Sequence, residues 1–293
     1  MKLLDYRDFY YPLNVLLHVL TLEEGEVRHL HYGLFERDDE PIAAAQERAS
    51  AKILAQLPPP PARVLDVGSG LGANLDRLKK LGYDALGITP DANQIEAIRA
   101  RYGDLPLQCM RFEDIREKFD VAMFHESSQY IDSEALFAKA EEVTPRVLVL
   151  DEFAFGDVEG LHRYDEFIAA AKRHGFELLR DEDVSKAAAP TVPYFMKRIP
   201  KYRRRIVEDL GVSDAQVDAL IASGERYSSN YHSGRYGYRL LVFGWGSHLS
   251  FCAISTSGRE RQMPAGARFS GFPLDNDSLY KMENVSIRKG LTP

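Results

Sequence analysis

The sequence predicts an α/β fold: a doubly wound, Rossmann-like, mostly parallel sheet of seven strands whose last strand runs antiparallel. Three observations carry this. Residues 63–67 form a short apolar run with β-branched Val64 and Val67, and Gly68, Gly70 and Gly72 follow it. A helical pattern then places Leu75, Leu78 and Leu81 on one face. Strand-like and helix-like segments alternate from there to residue 150, and 236–245 is a strongly strand-like run after a stretch too long for a plain connection.

The elements read off in order. Residues 12–22 suit a helix opened by Pro12, with Val15, Leu16, Val19 and Leu20 on one side. A second helix, about 40–57, stops at Pro58–Pro61, which cannot continue it. After the glycine turn come a strand at 83–88, a helix at 91–102, and strands at 105–111 and 119–124. A helix at 133–143, a strand at 146–150, a helix at 164–174 ended by Gly175, and a strand at 176–182 complete the alternation. The insert before the last strand reads as two helices, 193–206 and 213–223. It carries Tyr194, Phe195, Tyr202, Tyr227 and Tyr231, as a lid over a bound acceptor would. The predicted divisions are an N-terminal helical cap (1–60), a core (61–245) containing the lid (185–235), and a C-terminal appendage (246–293) that serves as a tail or dimer arm.

Composition narrows the function. The 293 residues are 45% hydrophobic and 28% charged, which is globular, and the net charge of −7 offers no overall basic field to nucleic acid or an anionic membrane. Cys109 and Cys252 are the only cysteines, too few for a disulfide framework or a zinc site and poor material for thiol-dependent arsenic methylation. Residues 13–22 are broken by Asn14 and His18, so neither a signal peptide nor a membrane span is expected, and the cytoplasm is the default compartment. His18, His29 and His31 lack the usual metal-ligand partners, so no metal is expected. The basic run Lys197–Arg205 reads first as a solvated helix face, and as a secondary idea Arg203–Arg205 recruit an acidic acceptor.

The glycine turn is the chemical centre. Glycines take positive φ and let a ligand approach bare backbone, while the free N–H groups of the following helix attract a carboxylate or phosphate. The spacing Gly68-Ser69-Gly70-Leu71-Gly72, with Asp66 before it and Asn74 after, differs from the G-x-G-x-x-G of dinucleotide binders. The block Val64-Leu-Asp-Val-Gly-Ser-Gly-Leu-Gly72 resembles motif I of class I S-adenosylmethionine (SAM)-dependent methyltransferases. Residues 31–33 and the segment after 119–124 are similar to the sterol, cyclopropane-fatty-acid and tocopherol group of small-molecule methyltransferases. The resemblance implies SAM as cofactor and S-adenosylhomocysteine (SAH) as product. It also implies cofactor contacts from Asp66, Gly68, Ser69, Gly70, Gly72 and Asn74, and a lid contact from Tyr32 beside Gly33. Thr89 and Gln94 are carried over as ribose or adenine contacts. Glu113 or Asp114, or else the backbone of Phe112, is expected at the adenine, where Arg111 occupies the position that the family often gives to an acid. Asp91 either joins the ribose contacts or caps its helix.

His125-Glu126-Ser-Ser-Gln-Tyr130 leaves the carboxyl end of the fourth strand, where open α/β sheets bind ligands. By resemblance Glu126 steadies a developing cation or takes a proton, with His125 and Tyr130 as neighbours; His125 is also a cofactor contact. Read without the resemblance, Glu126 caps a turn and His125 is a satisfied imidazole; titrating near neutrality, either is a candidate base. Asp151 and Glu152 cap the end of the fifth strand, or touch the acceptor. The expected function is methyl transfer from SAM to a small metabolite through O, N or C, with C-methylation of a prenyl or alkene substrate as one alternative. A non-catalytic SAM-binding scaffold is another, and a nicotinamide dehydrogenase is disfavoured by the glycine spacing. No nucleic-acid partner is expected; a homodimer is compatible with the tail.

Overall fold

The computed structural model describes residue 7 and residues 9–158 and 160–245; the appendage expected at 246–293 lies outside the described residues. At the centre stand β1 (Arg63–Val67), β2 (Asp84–Thr89), β3 (Leu107–Cys109), β4 (Val121–His125), β5 (Arg146–Ala154), β6 (Phe176–Asp183) and β7 (Tyr236–Trp245). Among the described residues they form one sheet in the order β3-β2-β1-β4-β5-β7-β6. All neighbours are parallel except β7, which runs antiparallel between β5 and β6. The order reverses between β1 and β4, so their carboxyl ends open the crevice that such sheets use for ligands.

Period-2 alternation splits the sheet's apolar side chains between two cores. On one face Leu65, Phe124, Val149 and Phe243 pack against α5 (Ser133–Val143) and α6 (Tyr164–Arg173). On the other, Val64, Met123, Leu150 and Leu240 pack against α2 (Ile42–Leu54), α3 (Ala73–Lys80) and α4 (Ala92–Tyr102). After the short α7 (Ser185–Ala188), the insert forms α8 (Thr191–Leu210) and α9 (Asp214–His232). Val15 and Val19 of α1 (Leu13–Glu24) join Ile199, Ile206 and Val217 of that pair in a separate small core, so α1, α8 and α9 stand together above the crevice.

Several boundaries differ from expectation, each for a local reason. Helix α3 ends at Lys80, which leaves Leu81 as its C-cap and 54% exposed rather than on the apolar face. The edge strand β3 holds only three residues, and Arg111 already leads into a 3-10 turn at Phe112–Asp114. In α1 Leu17 replaces Leu16 among the buried residues. Strand β5 runs four residues past the expected 150, because β7 pairs with it along its whole length, Ala154 opposite Tyr236. Asp151 and Glu152 therefore lie inside a strand and do not cap one. Helix α9 starts with a Ser213–Gln216 capping box and continues to His232, bringing Tyr227 and Tyr231 over the end of β5. No helix among the described residues is long and apolar enough to cross a membrane.

Candidate active site

The glycine turn departs from β1 under tight steric rule. Gly68 N–H donates to Ile88 O at 2.8 Å and Gly72 N–H to Ser69 O at 2.8 Å, which folds the chain back on itself. Gly68, Gly70 and Gly72 all have positive φ. A Cβ on Gly68 would sit 2.5 Å from Ser127 Cβ, and one on Gly72 2.8 Å from Ile98 Cγ2; at Gly70 the nearest atom is Leu30 Cδ1 at 3.5 Å. Gly70 is thus the glycine that faces open space. Gly72, though expected at the cofactor, lies off the cavity wall and serves close packing of α3 against α4.

One cavity of about 1100 Å³ runs from this turn beneath α1, α8 and α9. The other residues expected at the cofactor, Tyr32, Asp66, Gly68, Ser69, Gly70, Asn74, Thr89, Gln94, Phe112, Glu113 and His125, all line it, as do Glu126 and Tyr130. Thr89 Oγ1 donates to Gln94 Oε1 at 2.9 Å, while Asp91 accepts from the backbone N–H groups of Asn93 and Gln94 and so caps α4. Leu30, not Tyr32, is the residue of the N-terminal segment that approaches Gly70. Tyr32 lies instead flat against Tyr238, ring centroids 5.7 Å apart and planes within 2°.

Glu126 is the only non-glycine residue with positive φ among those described, at 54°. Its Oε1 accepts both the Tyr32 backbone N–H and the Tyr238 hydroxyl, each at 2.5 Å, so it joins the N-terminal segment to β7 across the end of β4. Tyr238 stands opposite Glu152 on β5. The Tyr231 hydroxyl donates to Glu152 Oε1 at 2.7 Å, and Asp151 Oδ2 accepts from the Ser128 hydroxyl at 2.6 Å. Burial raises all three carboxyls above the usual range: Glu126 far up, with Glu152 as the next cause, Asp151 up, and Glu152 to about 7 against its Tyr231 bond.

His125 behaves differently from expectation. It stacks on His31 at 3.7 Å, meets Asn74 Nδ2 at 3.3 Å through Nδ1, and is lowered to about 3 by burial. A buried imidazole so hard to protonate stays neutral and is no base near neutral pH, which corrects that expectation. Tyr130 is 48% exposed and its hydroxyl lies 3.2 Å from that of Tyr10. The basic run on α8 is engaged in ion pairs, Lys201 with Glu23, Arg203 with Asp214 and Asp218, and Arg205 with Asp209. Glu152 and Asp151 stood in the sequence only as an either-or. Tyr231 was visible only as a lid aromatic, and Tyr238 was missed. Its signal was the alternation of Tyr236 and Tyr238 on one strand face, pointing with Leu240 and Val242 to the same side.

The wall also shows what it lacks. Asp66 Oδ2, Asn74 Oδ1 and His125 Nε2 are buried polar atoms without a hydrogen-bond partner, and all three residues line the cavity near the open Gly70. Such atoms are costly unless a ligand meets them, so the residues present fit a polar amino-acid and nucleoside group. Comparisons agree. Residues 65–146 match the methyltransferase domain family. A ubiquinone biosynthesis O-methyltransferase of Rhodopseudomonas palustris (strain HaA2) is 27% identical over 150 residues, 41% of this chain; the match spans 59% of that relative's length. Among solved structures, the mycolic acid cyclopropane synthase CmaA1 complexed with SAH and CTAB superposes with TM-score 0.69 at 16% identity, over 82% of this chain and 97% of that one. The [4+2]-cyclase SpnF gives 0.67 at 18% (82% and 96%), and geranyl diphosphate C-methyltransferase of Streptomyces coelicolor A3(2) 0.59 at 14% (82% and 98%). At these identities the solved structures speak for the fold alone. Residues 65–146 thus match a methyltransferase domain, the chain is similar in sequence to a methyltransferase over 150 residues, and its fold is that of solved structures bound to SAM or SAH.

Proposed function

We propose that the protein transfers the methyl group of SAM to a small-molecule metabolite with an apolar or aromatic body. The observation that carries this is the single cavity joining the glycine turn to the carboxyl–tyrosine cluster. At about 1100 Å³ it stands at the upper end of small-molecule pockets, large enough for a donor and an acceptor side by side. Its far wall is apolar, with Leu13, Leu16 and Leu20 of α1 facing Phe195, Met196 and Leu220.

Gly68, Ser69, Gly70 and Asn74 would hold the amino-acid part of the cofactor, Thr89 and Gln94 its ribose, and Phe112 with Glu113 its adenine. When bound, the cofactor supplies an electrophilic methyl group on a sulfonium leaving group, so the protein chiefly aligns the two molecules and excludes water. Neutral His125, whose Nε2 has no partner among the described residues, would hydrogen-bond to the cofactor. Glu126 holds Tyr32 and Tyr238 together and fixes the acceptor end of the cavity. Glu152, with its carboxyl poised at about 7, is the group able to take a proton from the acceptor near neutral pH. Tyr130, half-exposed at the rim, orients the acceptor.

A second reading, C-methylation of a prenyl or alkene chain with Glu126 steadying a carbocation, is favoured by the apolar wall. Product analysis separates it from O- or N-methylation. The first test is calorimetric titration of the protein with SAM, SAH and NAD. Micromolar binding of both sulfur compounds and none of NAD is expected. Binding of neither sulfur compound would sink the proposal and leave a scaffold.

A further inference from the structure

Glu126, Asp151 and Glu152 meet where β4, β5 and β7 converge, and among the described residues none of them is ion-paired to a lysine or arginine. The groups that face them are one another, His162 beside Asp151, and the hydroxyls of Tyr32 from the N-terminal segment, Tyr130 after β4, Tyr227 and Tyr231 from α9, and Tyr236 and Tyr238 from β7. The rings there are mutually packed: Tyr227 lies 4.9 Å from Tyr236 and Tyr231 is edge-on to Tyr236 at 6.3 Å. Tyr32, Tyr227 and Tyr236 line the cavity.

Resting on the methyltransferase reading above, we infer that the acceptor is an amphiphilic amine, with its nitrogen between Glu152 and the rings of Tyr32, Tyr227 and Tyr236 and its apolar body along α1 and α8. A cation answers both features at once. It gives the buried carboxyls the counter-charge they lack, and it gains attraction from aromatic faces. An alcohol gains neither, and a carboxylate is repelled. In the reaction the ammonium gives its proton to the Glu152 carboxylate, and the freed nitrogen lone pair forms the new N–C bond. The S–C bond breaks with its electron pair left on sulfur, so the donor's positive charge ends on the methylated nitrogen.

The test is calorimetry on the full chain saturated with SAH, titrated with octylamine, octan-1-ol and octanoate. Near pH 8 octylamine should bind about tenfold or more tighter than octanol. Near pH 6 the preference should shrink as Glu152 takes up a proton, and Glu152→Gln should remove most of it while octanol affinity stays. Tyr231→Phe, which deletes a hydrogen bond to the carboxylate, should move the onset of the preference to higher pH and serves if the Gln variant fails to fold. Octanol or octanoate binding as tightly as octylamine, or a preference indifferent to both substitutions, overturns the inference alone, since SAH is bound throughout. Failure of the wild type to bind SAH overturns the function reading itself.

Discussion

Gly70 shows how one atom's absence defines a site. Its φ is positive, its Cβ position meets only Leu30, and Asp66 Oδ2 and Asn74 Oδ1, each without a hydrogen-bond partner among the described residues, belong to residues lining the same cavity. Gly70→Arg should fold, because the added chain projects into the cavity, and should lose SAM and SAH binding by calorimetry; binding at wild-type affinity would contradict the assignment. Glu152 supports a second prediction. Its carboxyl is lifted from 4.5 to about 7 in the folded protein, so between these values the fold holds a proton that the unfolded chain has released. That contribution is complete below pH 4.5 and is lost as pH rises through 7. The unfolding free energy of the wild type minus that of Glu152→Gln should therefore fall across this window by on the order of 3 kcal/mol, measured by urea denaturation. A flat difference would show that Glu152 ionises in the fold as it does in water. That Gly68, Ser69, Gly70, Asn74, Thr89, Gln94 and Glu126 share one cavity wall was legible from the sequence, because each lies within a few positions of a strand end; Gly72 stands off that wall. Glu152 and Tyr238 come from strands far apart in the chain and meet only through the pairing of β5 with β7.

Among the elements, α8 and α9 are joined at an unusually close contact. A Cβ on Gly224 would sit 2.0 Å from Met196 Sδ, and both residues line the cavity. Gly224→Ala should displace the flexible Met196 side chain toward the apolar wall rather than unfold the helix, since alanine is the better helix former. Acceptor affinity should drop about tenfold with SAH affinity unchanged; a loss of both would mean that the lid and the cofactor end form one rigid unit. That a helical insert precedes the last strand was legible from its length. Its true extent was not. The last turns of α9 carry serines, asparagine and tyrosines with little helical periodicity, and the packing of Tyr231 near β5 holds them helical.

At the level of the whole molecule, the seven strands, the antiparallel last strand and the parallel core follow the expectation from alternating periodicity, while the order of the strands is read from the structure alone. The placement of α1 was invisible, because amphipathic spacing says that a face is buried and never against what. Here α1 packs with an insert that begins about 170 residues later and so roofs the crevice.

The insert leaves from β6 and returns through β7, which lie side by side with Asp183 opposite Arg239. Its two feet are therefore a strand's width apart, about 5 Å, as in a hairpin. Topologically the roof over the cavity is one swollen hairpin loop, which an ancestor could lengthen, shorten or rewrite without disturbing a single rung of the ladder beneath it. On the proposed function, choice of acceptor is in that sense an evolutionarily detachable trait, while the glycine-turn end of the cavity stays bound to the order of the strands.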